Sequence, residues 1–289
     1  MSSSLIAAPE LDWRALMMLP ESEWPDCSHL VTEDDTPVDN LVQAIQPFLL
    51  EEPLESSWKV DEPFVVNSDV GIFDHVGPAL IVPDFLLALN VTRPQDLQKK
   101  ENRAYFLWVY KKPPDVVLEI VSNKVGGEGQ NGRKAKIYAK LGVPCYVVYD
   151  PFHYLSNDDL IVYELDGKRY RRRPDHQLPG VKLMLVIWEG TVSGLTRKWL
   201  RWATPDGKLI PRGVETAEFE RRLKEKEQRL KEQERNRADE EQRLKEQERD
   251  RADEEQRLKE QERVRAEQAE QRARLLAEKL RQLGIAEDP

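Results

Sequence analysis

Short apolar runs separated by turn-forming residues occupy most of the chain between residues 58 and 210. Two of them flank Asp166-Gly167 within 159–173, which predicts a β-hairpin. The segment 198–210 predicts a closing turn or hairpin. The remaining runs predict single strands at 58–66, 79–89, 103–110, 115–122, 145–150 and 181–188.

Two segments have apolar residues at helical spacing instead. Residues 39–52 form the first, and residues 133–141 form the second. Gly142 ends the second helix and Pro144 follows it, as is common at helix ends. Strands interspersed with helices predict an α/β fold with a mixed sheet flanked by helices.

From about residue 215 the chain is dominated by charged residues and contains a 14-residue repeat. The segment "RLKEQERNRADEEQ" at 229–242 recurs as "RLKEQERDRADEEQ" at 243–256. Glutamate, lysine and arginine at i,i+4 spacing favour one long helix. Its leucines recur only every second heptad, so a solvated single helix and a weak coiled coil both fit the pattern. The end is more apolar and is expected to contact a partner or a second copy through Leu276, Leu280 and Leu283.

These changes in character predict three segments. Residues 1–35 form a surface-wrapping extension, 36–212 form the globular domain, and 213–289 form the charged helical tail. The chain has a net charge of −9, and residues 1–217 contribute −7 of it. An acidic globular part argues against a broad nucleic-acid surface and leaves room for a local basic groove.

The chain has features of a protein of the reducing cytoplasm. Its two cysteines, Cys27 and Cys145, do not form a disulfide framework. The start of the chain lacks the basic and apolar regions of a secretory signal. No apolar run approaches the roughly 20 residues that span a bilayer, so no membrane partner is expected.

Glu119 stands in the middle of the apolar run "VVLEIV". Alternation along a strand puts it on one face with Val117 and Val121, while Val116, Leu118 and Ile120 form the other. A run of this kind is typical of a central strand covered on both faces. An ionised carboxylate there must be neutralised, paired or bound to a metal.

Two other charged residues interrupt apolar patterns. Asp84 lies within the predicted strand 79–89, where Pro83 indicates a bend or an edge. Lys134 continues the apolar face of the helix 133–141, since Ile137, Tyr138 and Leu141 follow at i+3, i+4 and i+7. Lys134 is therefore the basic residue of this helix that is expected to face the sheet.

Asp84, Glu119 and Lys134 together suggest a metal-dependent hydrolytic site. Two carboxylates from adjacent strands can bind Mg²⁺ or Mn²⁺ through oxygen. Lys134 is then placed to orient a water or to stabilise transition-state charge. A buried ion pair without a metal fits the same spacing equally well.

The order of these motifs resembles the Uma2 family of endonucleases. The segments "VPDFLLAL", "PPDVVLEIVS" and "GRKAKIYAKLGVPCYVVYDP" carry the resemblance, which extends over residues 37–211. It implies a PD-(D/E)xK restriction-endonuclease-like core, with Asp84 and Glu119 as metal ligands and all of Asp84, Glu119 and Lys134 as catalytic residues. Val121 stands where the usual lysine would be, and Lys134 matches the family's migrated lysine.

The chain departs from the family pattern at two places. Gln130 and Asn131 stand in the region where relatives often have an aspartate shortly before the lysine, which weakens the expectation of metal binding or activity. Cys145 replaces a common glutamate, which we interpret as a packing change.

Several further residues are candidates for the site or for phosphate contacts, and most of them also have a purely structural explanation. Asp115 shares the face of Glu119, Ser122 follows Glu119 closely in sequence, and Tyr138 lies on the predicted helix 133–141. All three are accessory candidates, although Asp115 and Ser122 also fit strand-end positions. The basic segment at 168–173 offers phosphate contacts or, alternatively, protects the edge of a sheet. Its candidate residues are Lys168, Arg169, Arg171 and Arg173.

The sequence thus predicts a Mg²⁺-dependent endonuclease that hydrolyses phosphodiester bonds in nucleic acid, with DNA as the expected substrate. The alternative is a catalytically inactive nuclease-like core that serves as a protein-interaction module through the C-terminal helix.

Overall fold

The computed structural model describes residues 12–32, 40–125 and 127–283. The chain divides into two compact units, Met1–Ala217 and Glu218–Pro289. Within the first unit, most of the predicted extension 1–35 that is described consists of short helical turns and loops. The boundaries predicted for the three sequence segments stay predictions.

The described residues form five α-helices and eleven strands. The helices are α1 (Trp13–Leu16), α2 (Leu41–Ser57), α3 (Leu107–Tyr110), α4 (Arg133–Leu141) and α5 (Gly213–Gln282). The strands are β1 (Phe64–Asn67), β2 (Ile72–Phe73), β3 (Phe85–Leu89), β4 (Tyr105–Phe106), β5 (Val116–Ile120), β6 (Cys145–Tyr149), β7 (Leu160–Asp166), β8 (Arg169–Arg172), β9 (Gln177–Leu178), β10 (Leu183–Val192) and β11 (Leu195–Ala203).

A mixed sheet of six strands forms the centre of the first unit. Its order is β1-β3-β5-β6-β7-β8, and β5 and β6 are parallel while the other neighbours are antiparallel. A parallel pair requires a crossover connection, which α4 supplies. The predicted mixed α/β fold and the long C-terminal helix are confirmed.

The run 103–110 is not the single strand that its apolar pattern predicts. Only Tyr105 and Phe106 pair, in parallel with the two residues of β2. The chain then turns into the short helix α3, which ends at Lys111 in the left-handed conformation. A partner strand of only two residues offers no further backbone groups for pairing, which explains why the strand ends there.

The two faces of β5 belong to different hydrophobic clusters. Val117 and Val121 pack with Tyr138 of α4, whereas Leu118 and Ile120 pack on the side of α2 and the three-stranded sheet β11-β10-β9. All five residues of β5 are buried. The predicted central strand, covered on both faces, is confirmed, and α4 covers the face from which Glu119 projects.

The second unit consists mainly of α5. All its residues from Glu218 to Leu283 are exposed, and neighbouring charges pair along the helix, as in Glu241–Lys245 and Glu255–Lys259. Such exposed pairs contribute little individually. The long helix confirms the prediction, and the coiled coil stays a prediction. In the described part of the chain, no helix is both long and apolar enough for a membrane span.

An ion pair between a buried arginine and a half-exposed glutamate fixes the first turn of α5 within the first unit. Arg201 of β11 is 1% exposed and donates from both terminal nitrogens to the carboxylate of Glu215, at 2.8 Å each. The backbone N–H of Arg212 also donates to Glu215, at 2.9 Å. The compact first unit therefore includes the first turn of α5 and extends to Ala217.

We expect a chain that ends at Ala217 to unfold with the same free energy as the full chain. A chain that ends at Pro211 should lose about 3 kcal/mol, because Arg201 keeps its charge and loses its partner. Urea titration of the three chains measures this. Glu215→Ala in the longer truncation should reproduce the loss and Glu218→Ala in the full chain should not. Equal stability of both truncations would contradict the structural role of Glu215.

Candidate active site

Register brings Asp84 and Glu119 to the same end of neighbouring strands. Phe85 of β3 pairs with Leu118 of β5 in an antiparallel ladder, so the preceding Asp84 lies opposite Glu119. Asp84 is half-buried and accepts a hydrogen bond of 2.5 Å from the backbone N–H of Ile120. Strand β3 begins at Phe85, so Asp84 directly precedes it. The sequence pattern predicts that Asp84 lies within a strand, and this prediction is wrong.

Glu119 is fully buried, and protein donors contact both of its carboxylate oxygens. The ammonium of Lys134 lies 2.7 Å from Oε2, and the hydroxyl of Tyr138 donates to Oε1 at 2.5 Å. Both donors come from α4, one turn apart. The helical spacing of Lys134 and Tyr138 thus matches the two oxygens of one carboxylate.

Lys134 also contacts a second carboxylate, which the sequence pattern does not identify. Its Nζ lies 3.0 Å from Oε1 of Glu128, whose side chain is 15% exposed. Glu128 is the one acidic residue between Ser122 and Lys134, so a count of carboxylates near the lysine could have found it. The sequence spacing between Glu128 and Lys134 does not predict their contact, because the glycines around Glu128 allow the loop many backbone conformations.

Contacts to the sheet and the helix hold the loop that carries Glu128. The hydroxyl of Tyr146 donates to the Glu128 carbonyl at 2.5 Å, and the side-chain amide of Gln130 donates to the Tyr170 carbonyl at 2.8 Å. The loop conformation requires glycine at 132, because a Cβ there would lie 2.2 Å from the carbonyl oxygen of Gly127 and would clash with it. The loop therefore holds Glu128 beside the lysine.

The electrostatics of the site are dominated by burial. Burial raises the pKa of Glu119 to about 8, and the charge of Asp84 acts in the same direction, while Lys134 opposes both. Burial also raises the pKa of Asp84, against the hydrogen bond from Ile120. Two carboxylates in this environment favour the binding of positive charge.

Lys134 supplies part of that positive charge. Burial lowers the pKa of Lys134, but the charge of Glu119 and the hydrogen bond to it raise the pKa further, so the net direction is upward. The ammonium is therefore strongly favoured at this position. Its side chain is 31% exposed, which leaves an approach from solvent.

The donor set has the chemistry of a Mg²⁺ or Mn²⁺ site with two protein ligands. Mg²⁺ commonly binds one or two carboxylates and keeps several waters or substrate oxygens. Asp84 and Glu119 fit that requirement. Among residues 12–32, 40–125 and 127–283, no group of three or more His, Cys, Asp or Glu side chains is arranged to hold a metal ion.

Of the accessory candidates, Tyr138 is at the site and Asp115 lies apart from it. Asp115 precedes the start of β5, about 13 Å along the strand from Glu119. Its carboxylate accepts hydrogen bonds from the backbone N–H of Leu89 at 2.7 Å and from Lys112 at 2.6 Å. Ser122 is half-buried just beyond β5 and accepts a hydrogen bond from the side chain of Asn123 at 3.0 Å.

The basic segment lies on the predicted hairpin β7–β8, and β8 is an edge strand of the sheet. Arg173 contacts Glu164 at 2.5 Å and Asp175 at 2.9 Å. Arg171 is exposed and lies 3.9 Å from Asp166. Lys168 and Arg169 are exposed near the turn. Acidic partners on Arg171 and Arg173 are consistent with protection of the edge, the simpler alternative.

The chain belongs to the Uma2 family, whose model matches residues 33–192 and is described as "Putative restriction endonuclease". This membership indicates a nuclease and hence a nucleic-acid substrate. No curated protein and no solved structure matches the chain.

Proposed function

We propose that this protein is a metal-dependent endonuclease that hydrolyses phosphodiester bonds in nucleic acid, with DNA as the expected substrate. The observation that carries the proposal is the convergence of Asp84, Glu119 and Lys134 at one end of β5. The proposed domain is a restriction-endonuclease-like core over residues 36–212, preceded by the extension 1–35 and followed by the tail 213–289. Two buried free cysteines support a cytoplasmic setting.

Asp84 and Glu119 are the proposed ligands of Mg²⁺ or Mn²⁺. A divalent cation held there would polarise a phosphoryl oxygen and lower the pKa of a bound water. The partial exposure of the Lys134 side chain, 31%, would leave an approach for phosphate and water. Overall, water adds to phosphorus, the ester P–O bond breaks, and a proton passes to the departing alcohol.

Lys134 is the proposed stabiliser of negative charge on the phosphate in the transition state. A cation bound by the Glu119 carboxylate would compete with Lys134 for the same oxygens. Glu128 supplies a second acceptor 3.0 Å from the same ammonium, so Lys134 would keep a partner in that case. We assign Glu128 as the positioning residue for the lysine, and Tyr138 as the positioning residue for Glu119.

Contacts to the nucleic-acid backbone are proposed for the hairpin β7–β8. Lys168 and Arg169 are the better placed of the four basic candidates, because Arg171 and Arg173 have acidic neighbours. Gln130 connects the hairpin to the loop of Glu128. A phosphate bound at the hairpin would therefore lie near the loop that carries Glu128.

The alternative function is a protein-interaction module whose nuclease-like core is inactive. The observation that favours it is the exposed leucines of α5, including Leu276 at 63% and Leu283 at 70%. A homo-oligomer or a protein partner at this helix is compatible with either function. Metal binding by the core distinguishes the two, because an interaction module has no requirement for it.

Glu119→Gln should abolish Mg²⁺ and Mn²⁺ binding and leave the core folded. The amide can accept from Lys134 through its oxygen and donate to the Tyr138 hydroxyl oxygen, so both contacts are kept and only the hydroxyl proton of Tyr138 loses its acceptor. It lacks the negative charge that attracts the cation. Isothermal titration calorimetry of both proteins tests this. Asp115→Asn, on the same strand face, is the matched control and should bind like the wild type; equal affinity in Glu119→Gln would refute the assignment.

Lys134→Met should reduce cleavage of a plasmid or oligonucleotide at least a hundredfold, since one stabilising donor of this kind contributes about 10²–10³ in rate. Lys140→Met, on the exposed side of the same helix, is the control and should cleave like the wild type. Gel-based rates with Mg²⁺ measure both. Comparable losses in the two variants would mean that the effect does not come from the site.

A further inference from the structure

The last turns of α5 carry an apolar stripe that the 14-residue repeat lacks. Its spacing alternates between three and four residues, which is the a/d pattern of a coiled coil. All of its members are exposed, with Leu276 at 63%, Leu280 at 37% and Leu283 at 70%. The stripe consists of Ala266, Ala269, Ala273, Leu276, Leu280 and Leu283.

The stripe has a defined beginning. In the same heptad frame, the a/d positions immediately upstream are Glu262, Lys259 and Glu255. Burial of these charges against a like copy is unfavourable, because identical residues would meet. The apolar seam is therefore confined to the segment from Ala266 to Leu283, and the leucines at 230, 244 and 258 belong to a different face.

The charges that flank the stripe select an orientation. The g positions are Arg265, Arg272 and Lys279, which are all basic, and the e positions are Glu270 and Ala277. In an antiparallel pair, g positions face g positions, so basic residues would meet. In a parallel pair, g faces the e position five residues on, so Arg265 of each copy meets Glu270 of the other.

We infer that the segment 266–283, termed the terminal stripe, pairs with a second copy of this chain as a parallel, in-register coiled coil. The observations that carry the inference are the six consecutive apolar a/d positions and the complementary charges at 265 and 270. The helix upstream of Ala266 stays unpaired, because each charged residue of its seam would meet the same residue of the second copy. This association does not depend on the proposed nuclease function.

Disulfide formation tests the orientation in the full chain. In a parallel pair Leu276 faces its own copy, so Leu276→Cys should oxidise to a covalent dimer. In an antiparallel pair position 273 faces 276, so a mixture of Ala273→Cys and Leu276→Cys proteins would give the mixed dimer instead. Gln271→Cys, on the outer face, is the control. Cys27 and Cys145 are buried and do not compete.

Sedimentation equilibrium tests the stripe itself. The full chain should reach the dimer mass at concentrations up to about 100 μM, and Leu276→Glu should raise the dissociation constant tenfold or more. Gln271→Glu should leave it unchanged. A monomer at every concentration, a preference for the mixed 273–276 disulfide, or a dimer insensitive to Leu276→Glu would overturn the inference. Metal binding by the core should be the same in all these variants.

Discussion

Glu119 places a carboxylate in the middle of a strand covered on both faces, where an ionised oxygen cannot be solvated by water. The surrounding residues satisfy that constraint. α4 contributes an ammonium and a hydroxyl one turn apart, one for each carboxylate oxygen. The parallel pairing of β5 and β6 is what requires α4 to cross over this face. A hydrophobic residue at 119 would pack more simply, so the retention of the charge suggests a role in binding.

The same site holds more negative charge than its own lysine balances. Asp84, Glu119 and Glu128 all surround one ammonium. Burial raises the pKa of both Asp84 and Glu119, because their charged forms lose the solvation of water. A bound cation would compensate for that loss. The Glu128 contact gives Lys134 an acceptor that does not belong to the proposed metal ligands. We propose that a lysine held in this way would keep its place at the site if a cation were bound by the two carboxylates.

Periodicity predicts those parts of this arrangement that lie within regular elements. The strand alternation puts Glu119 on the face of Val117, and the helix phase puts Lys134 and Tyr138 on the buried side of α4, as the structure has them. The position of Asp84 opposite Glu119 is not predicted by periodicity, because it depends on the register between β3 and β5. Glu128 is not predictable from spacing, because the glycine-rich loop that carries it is fixed by Tyr146 and Tyr170, which are distant in sequence. The short strand within 103–110 could not be predicted either, because its length is set by β2, a partner strand of two residues.

We propose that the carboxylates of Asp84 and Glu119 bind a divalent cation, and that Lys134 would then keep only its contact with Glu128. Anomalous diffraction from crystals grown with Mn²⁺ measures it directly. We expect one anomalous peak between the two carboxylates, with Nζ of Lys134 hydrogen-bonded to Glu128 and no longer to Glu119. Absence of a peak at this position, with Lys134 still bound to Oε2 of Glu119, would contradict it.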